Sequence, residues 1–306
     1  MKLPTRYLPA LFLLPLLFSS CIKDELSDCP SELRIYFACD PAISGGGGID
    51  LEDLEKIWLF IFDADGLFYE KQNDYQYFAK RESYMTVMGL PAEDFCFIAW
   101  AGKEADYSTL PLDFTVGQTT LEEAQWVLSR ISNNIYEDWE HPPLFYTEKR
   151  ERVLPYSNGI QRIDMLLTPL HNVILLTTEG LPASEETYRF VIFDYWNGKY
   201  RFDSSFTPVG EVTYSTPCNK DSDSQLFASL RTLNIHSNRE PVLEIVNVTQ
   251  QQRLYRANLI ALLNKIEAID LQTTFTYHIH IIFSTDMTAS LLINGWQVTE
   301  WETIPR

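Results

Sequence analysis

Apolar and polar positions alternate over short stretches of this chain, and the stretches recur at nearly regular intervals. Leu33-Arg34-Ile35-Tyr36-Phe37-Ala38-Cys39 combines alternation with aromatic and branched residues, which predicts a strand. A loop with four glycines at 45–48 follows. Ile57-Trp58-Leu59-Phe60-Ile61-Phe62 then meets Asp63-Ala64-Asp65-Gly66 and resumes as Leu67-Phe68-Tyr69, a hairpin signal between two aromatic runs. Residues 84–88 and 95–100 predict two further strands, parted by Gly89-Leu90-Pro91. Leu121, Ala124, Leu128 and Ile131 fall at helical spacing, so 121–139 predicts a helix. Residues 144–146 and 163–167 resume strand character.

The second half repeats the plan. Residues 171–178 predict a strand, followed by a second Gly-Leu-Pro phrase, Gly180-Leu181-Pro182. Residues 189–195 and 199–202 flank Trp196-Asn197-Gly198, whose Asn-Gly suits a type I′ hairpin turn. Strands are expected at 226–235, 242–248, 275–283 and 291–293. Residues 254–269 are the helix candidate, with Leu259, Leu262, Leu263 and Ile266 on one face. Each half therefore predicts about seven short strands and one helical insertion, the strand count of a β-sandwich. The expected fold is all-β, with two tandem Greek-key sandwiches at 32–168 and 169–306 that meet near Thr168-Pro169. No long Gly/Ser or Pro-rich linker parts the halves, so they are expected to abut.

The first residues follow a different pattern. Lys2 and Arg6 precede an apolar run at 8–18, and Ser19-Ser20-Cys21 closes it. Basic, apolar and small residues followed by cysteine are the order of a secretory signal that ends at a lipidation cysteine. The run is about half of the roughly 20 residues that span a bilayer, and Pro9 and Pro15 disfavour a continuous helix. Residues 1–20 are expected to be removed, leaving Cys21 with an S-diacylglycerol and an N-acyl chain at the head of an acidic tether, 21–31. Phe18 stands where most such signals carry an aliphatic residue. Two or more acyl chains hold a protein stably where one does not. Ile22-Lys23-Asp24-Glu25 has no Asp directly after the cysteine. It resembles the Lys-plus-acidic tag that sends lipoproteins to the outer face of some anaerobic Gram-negative bacteria.

Charge narrows the partners. The formal net charge is −18, and becomes −20 once Lys2 and Arg6 leave with the signal. This excludes attraction to nucleic-acid phosphates and an electrostatic hold on an anionic membrane, leaving the lipid as the anchor. Cys29, Cys39, Cys96 and Cys218 show no CxxC spacing. A Cys39–Cys96 disulfide and two buried free thiols are both open.

Candidate chemistry is sparse. There is no GxSxG, HExxH, phosphate loop or dinucleotide fingerprint. His278 and His280 share a strand face that a metal could use, without a third ligand at diagnostic spacing. Asp63 and Asp65 lack the further carboxylates of a calcium loop and predict a turn. Glu137-Asp138-Trp139-Glu140 predicts a solvated helix end. Trp58, Trp100 and Trp196 could stack on sugars or lie in the cores. No nucleophile–base set is visible, so no enzyme, cofactor or small-molecule substrate is expected.

The mature start Cys21-Ile22-Lys23-Asp24-Glu25-Leu26-Ser27-Asp28-Cys29-Pro30, the strand at 33–38 and the aromatic strand ending in Phe62-Asp63-Ala64-Asp65-Gly66 together resemble the fimbrillin-associated anchor proteins. These are the minor subunits at the base of fimbriae in anaerobic oral and gut bacteria. The likeness continues through Met88-Gly89-Leu90-Pro91 to Asn294-Gly295-Trp296. It implies a transthyretin-like form for both sandwiches, outer-membrane attachment through Cys21 facing the cell surface, and fimbrial shaft or accessory subunits as partners. It implies further that the chain affects fimbrial length, and that neighbours join by strand exchange. The C-terminal segment 290–303 could be donated or could stay home. The alternative is a surface lipoprotein that binds glycan or peptide in nutrient uptake or adhesion.

Overall fold

The computed structural model describes residues 32–39, 54–75, 77, 84–104, 107–128, 135–137, 142–155, 159–181, 186–220, 225–285 and 288–298. The signal, Cys21, Cys29, the tether, the glycine loop at 45–48, Asp138-Trp139-Glu140 and His141 lie outside them.

In the first half the strands are β1 (Glu32–Cys39), β2 (Lys56–Asp63), β3 (Phe68–Asp74), β4 (Met85–Met88), β5 (Asp94–Gly102), β6 (Tyr107–Leu110), β7 (Gln125–Leu128), β8 (Ile135–Glu137), β9 (Leu144–Arg152) and β10 (Gln161–Pro169). The second half holds β11 (His171–Glu179), β12 (Tyr188–Arg201), β13 (Phe206–Pro217), β14 (Asn219–Lys220), β15 (Leu226–Leu233), β16 (Val242–Asn247) and β17 (Gln252–Asn258). Helix α1 (Leu259–Leu263), β18 (Thr276–Phe283), β19 (Ala289–Ile293) and β20 (Trp296–Val298) complete it.

Both halves are wound in one order. The first places β4-β1-β10 over β3-β2-β5-β9, and the second places β15-β11-β18 over β13-β12-β16-β17. In each, the opening strand runs parallel to the last of the set (β1 with β10, β11 with β18) and antiparallel to its other neighbour. The alternation explains the layering. Leu33, Ile35 and Phe37 of β1 and Ile163, Met165 and Leu167 of β10 point inward to one core with Ile57, Leu59 and Ile61 of β2. The second core sets Ile279 and Ile281 of β18 against Phe190 and Ile192 of β12.

β2 and β5 do not alternate because both their faces are buried. Ile57, Leu59 and Ile61 enter the first core, while Trp58, Phe60 and Phe62 enter the larger cluster that includes Trp126, Tyr200 and Phe202. Trp100 of β5 stacks on Trp126 at 5.2 Å with the planes 7° apart, and Phe60 meets Phe202 edge-on at 4.7 Å. Tyr146 Oη donates to the Phe202 carbonyl at 2.8 Å, and Tyr200 Oη to that of Leu170 at 3.0 Å.

Three local expectations need correction. The described parts of 121–139 are not helical: β7 pairs with Lys199, Tyr200 and Arg201 of β12, and β8 runs parallel to 213–215 of β13. Trp126 is buried in the aromatic cluster, and this tertiary placement overrides the local spacing. The helix at 254–269 shrinks to α1, because Gln252–Asn258 pairs with β16. Asn258 caps α1, accepting from the Ala261 amide at 2.9 Å. The predicted turn at Asn197-Gly198 is instead an irregularity within β12, where the register shifts. The hairpin turns at 202–205, with Ser204 at φ 62°.

Candidate functional site

β1 is the strand into which the tether leads, and it is central. Leu33 to Cys39 pair with Gln161 to Leu167 on one side, and Glu32 to Ile35 with Met85 to Met88 on the other. A pull on the N-terminal end of β1 would load these ladders in shear, together with three buried side chains, Leu33, Ile35 and Phe37. The Arg34 backbone lies within both ladders, so its peptide bonds are shielded from proteases while the strand is paired.

The two halves differ at the outer edge of their last strand. In the second, β18 is covered by β19, with Ile279 to Phe283 opposite Ile293 to Ala289, and β20 follows. In the first, β10 meets β9 only at Thr168 and Pro169. Over 161–167 its outer edge has no strand partner among the described residues. Side chains bridge the gap. Lys149 Nζ donates to the Asp164 carbonyl at 3.2 Å, and Gln161 Oε1 accepts from the Leu154 amide at 2.9 Å. A lysine laid on an unpaired edge blunts indiscriminate pairing. Leu166 beside it is 57% exposed.

The C-terminal segment folds at home over its described part. Leu291, Ile293 and Val298 are buried in the second core, leaving Trp296 57% exposed.

The other sequence candidates resolve as follows. Asp63 Oδ1 accepts from the amides of Asp65 (3.0 Å) and Leu67 (2.9 Å), so its carboxylate serves the turn. His278 and His280 lie on β18; His280 Nε2 is 3.4 Å from Glu179 Oε1. Among the described residues no group of three or more His, Cys, Asp or Glu could hold a metal. Cys39, Cys96 and Cys218 are free. The disulfide is ruled out by geometry, since Cys39 packs on the first core and Cys96 points to the opposite face of β5. Burial pushes all three thiols up to about 12. Trp58 and Trp100 are buried and cannot meet a sugar. The Trp196 side chain is outside the described set.

Sequence reasoning missed the junction residue His171, which is 1% exposed at the start of β11. Its Nδ1 lies 3.2 Å from the Leu144 amide nitrogen and 3.1 Å from the Leu144 carbonyl. Burial, and secondarily the charge of Arg231, lowers its pKa to about 3.

Comparison with known proteins places this architecture. The chain is similar to the fimbrial anchor protein Mfa2 from Porphyromonas gingivalis, with TM-score 0.69, 17% identity, and coverage of 89% of this chain and 100% of that one. It is similar to a candidate polysaccharide-binding protein from Bacteroides thetaiotaomicron (TM-score 0.72, 18% identity, coverage 88% and 97%). A candidate adhesin from Bacteroides ovatus has TM-score 0.70, 14% identity and coverage of 90% and 96%. At these identities the likeness shows the fold. No curated protein sequence matches. The family model of the fimbrillin-A associated anchor proteins Mfa1 and Mfa2 matches residues 26–301, so the chain belongs to that family of fimbrial anchor proteins.

Proposed function

We propose that this chain anchors a fimbrium to the outer membrane, facing the cell surface, through acyl chains on Cys21, and affects fimbrial length. The observation that carries the reading is the family match over 26–301, which leaves only the expected signal and a few residues at each end outside it. Two features support it physically. The tether leads into β1, a strand held on both sides, so tension from the membrane enters the first core directly. Multiple acyl chains give the retention that such tension demands.

The neighbouring subunit joins by strand addition at β10. The unpaired edge offers alternating amide and carbonyl groups, and an incoming strand would lie there as β19 lies on β18. The amide of an added strand replaces the Lys149 ammonium on the Asp164 carbonyl. Because the chain's own C-terminal hairpin fills the second core, this subunit receives a strand rather than giving one.

Deletion of the gene, with electron microscopy of cells and assay of the medium, tests the reading. Fimbriae of altered length accumulating free in the medium are expected. Cell-bound fimbriae of unchanged length contradict it.

A further inference from the structure

An open cleft of about 430 Å³ lies on the second half, where 235–238 between β15 and β16 and 271–272 between α1 and β18 approach the start of β13. That volume is within the range of small-ligand pockets. Phe206, Ile235 and Leu271 supply its apolar surface, and His236, Ser237, Asn238 and Gln272 its polar rim.

Three observations define the occupant. First, no lining side chain carries a fixed charge, on a chain of net charge −18. The Arg239 guanidinium, which follows Asn238 in the chain, is buried against Asp194. A phosphate or carboxylate would find no partner there. Second, the four polar side chains make no hydrogen bond or ion pair with other described residues. Ser237, Asn238 and Gln272 can each both donate and accept, as sugar hydroxyls do. A purely apolar ligand would strip water from these groups without replacing it. Third, Phe206 remains partly exposed while held by Tyr200 edge-on at 5.1 Å and by Arg239 at 5.8 Å from its ring centroid. A fixed aromatic ring can pack on the C–H face of a pyranose.

We infer that this cleft binds a neutral glycan, through hydroxyl contacts from Ser237, Asn238 and Gln272 and packing on Phe206. The site is lined by residues of the second half alone and is independent of the anchoring role.

The test is electrophoresis of the full chain, in detergent, through native gels cast with mannan, xylan, galactan or β-glucan, with polygalacturonate as the acidic control. Retardation by at least one neutral polysaccharide is expected, and none by polygalacturonate. Asn238→Ala combined with Gln272→Ala should weaken the apparent affinity by roughly tenfold or more, with the unfolding midpoint unchanged. Failure of every neutral polysaccharide to retard the chain, retardation by the acidic control alone, or equal retardation of the double variant would overturn the assignment.

Discussion

The two halves share a strand order and differ in how they finish it. The second adds β19 and β20 beyond β18, so the edge of its last strand is covered by its own chain. The first leaves β10 uncovered over 161–167 among the described residues, yet buries both faces of β2 and β5. One topology thus yields a last strand that its own chain covers and a last strand left open at its edge. An open edge is a liability unless something pairs with it. In a fimbrial anchor that pairing has a use. The half that opens with β1 also carries the free edge.

The largest expected effect concerns the two-faced sheet. Trp100 is fully buried against Trp126, so Trp100→Ala should cost about 3–5 kcal/mol in urea unfolding. Leu166→Ala on the exposed face should stay within about 0.5 kcal/mol. Similar costs for the two would refute double burial.

The two Gly-Leu-Pro phrases separate next. Gly180 has φ +81°, and a Cβ there would fall 2.0 Å from the Phe283 carbonyl oxygen. Gly89 has φ +80° with nothing within 4 Å. Gly89→Ala should cost about 1–2 kcal/mol of backbone strain, and Gly180→Ala clearly more, because backbone must move. Thermal unfolding of both variants decides; equal costs would mean that β11 and β18 part easily at that end.

His171 supplies a pH dependence at the junction. Its folded pKa, about 3, lies below its unfolded value of 6.5, so the unfolded chain binds the proton first. The contribution is fully present above pH 6.5 and is lost as pH falls from there toward 3. At pH 5 the loss is about 2 kcal/mol. Comparing unfolding of the wild type and His171→Asn at pH 7.5 and 5 isolates it; parallel curves would remove His171 as the cause.

The smallest effect falls on the tether. Cys21→Ala should leave the unfolding midpoint within about 0.5 kcal/mol of wild type while releasing the protein from the membrane fraction.

What could be read from sequence was what is encoded locally. Alternation marked β1 and β10, aromatic density marked β2 and β5, and Asp63 to Gly66 marked the hairpin between β2 and β3. The remainder is long-range. β7 pairs with Lys199 to Arg201, far along the chain, and four apolar residues at helical spacing carry no trace of that partner. The open edge of β10 depends on which strands lie beside it. The cleft draws its lining from 206, 235–238 and 271–272, which no single window joins. The run from Ile57 to Phe62 was legible as one arm of a hairpin, and its burial on both faces came only with the partners that cover it.

The central claim is that the first half receives a strand at β10 from the fimbrium. A photo-crosslinking residue placed at 166 on β10, or at 282 on β18, in cells bearing attached fimbriae tests it most directly. The account predicts a covalent adduct with a fimbrial subunit from 166 and none from 282, which stands behind β19. No adduct from 166 while fimbriae remain attached, or equal adducts from both positions, would contradict it.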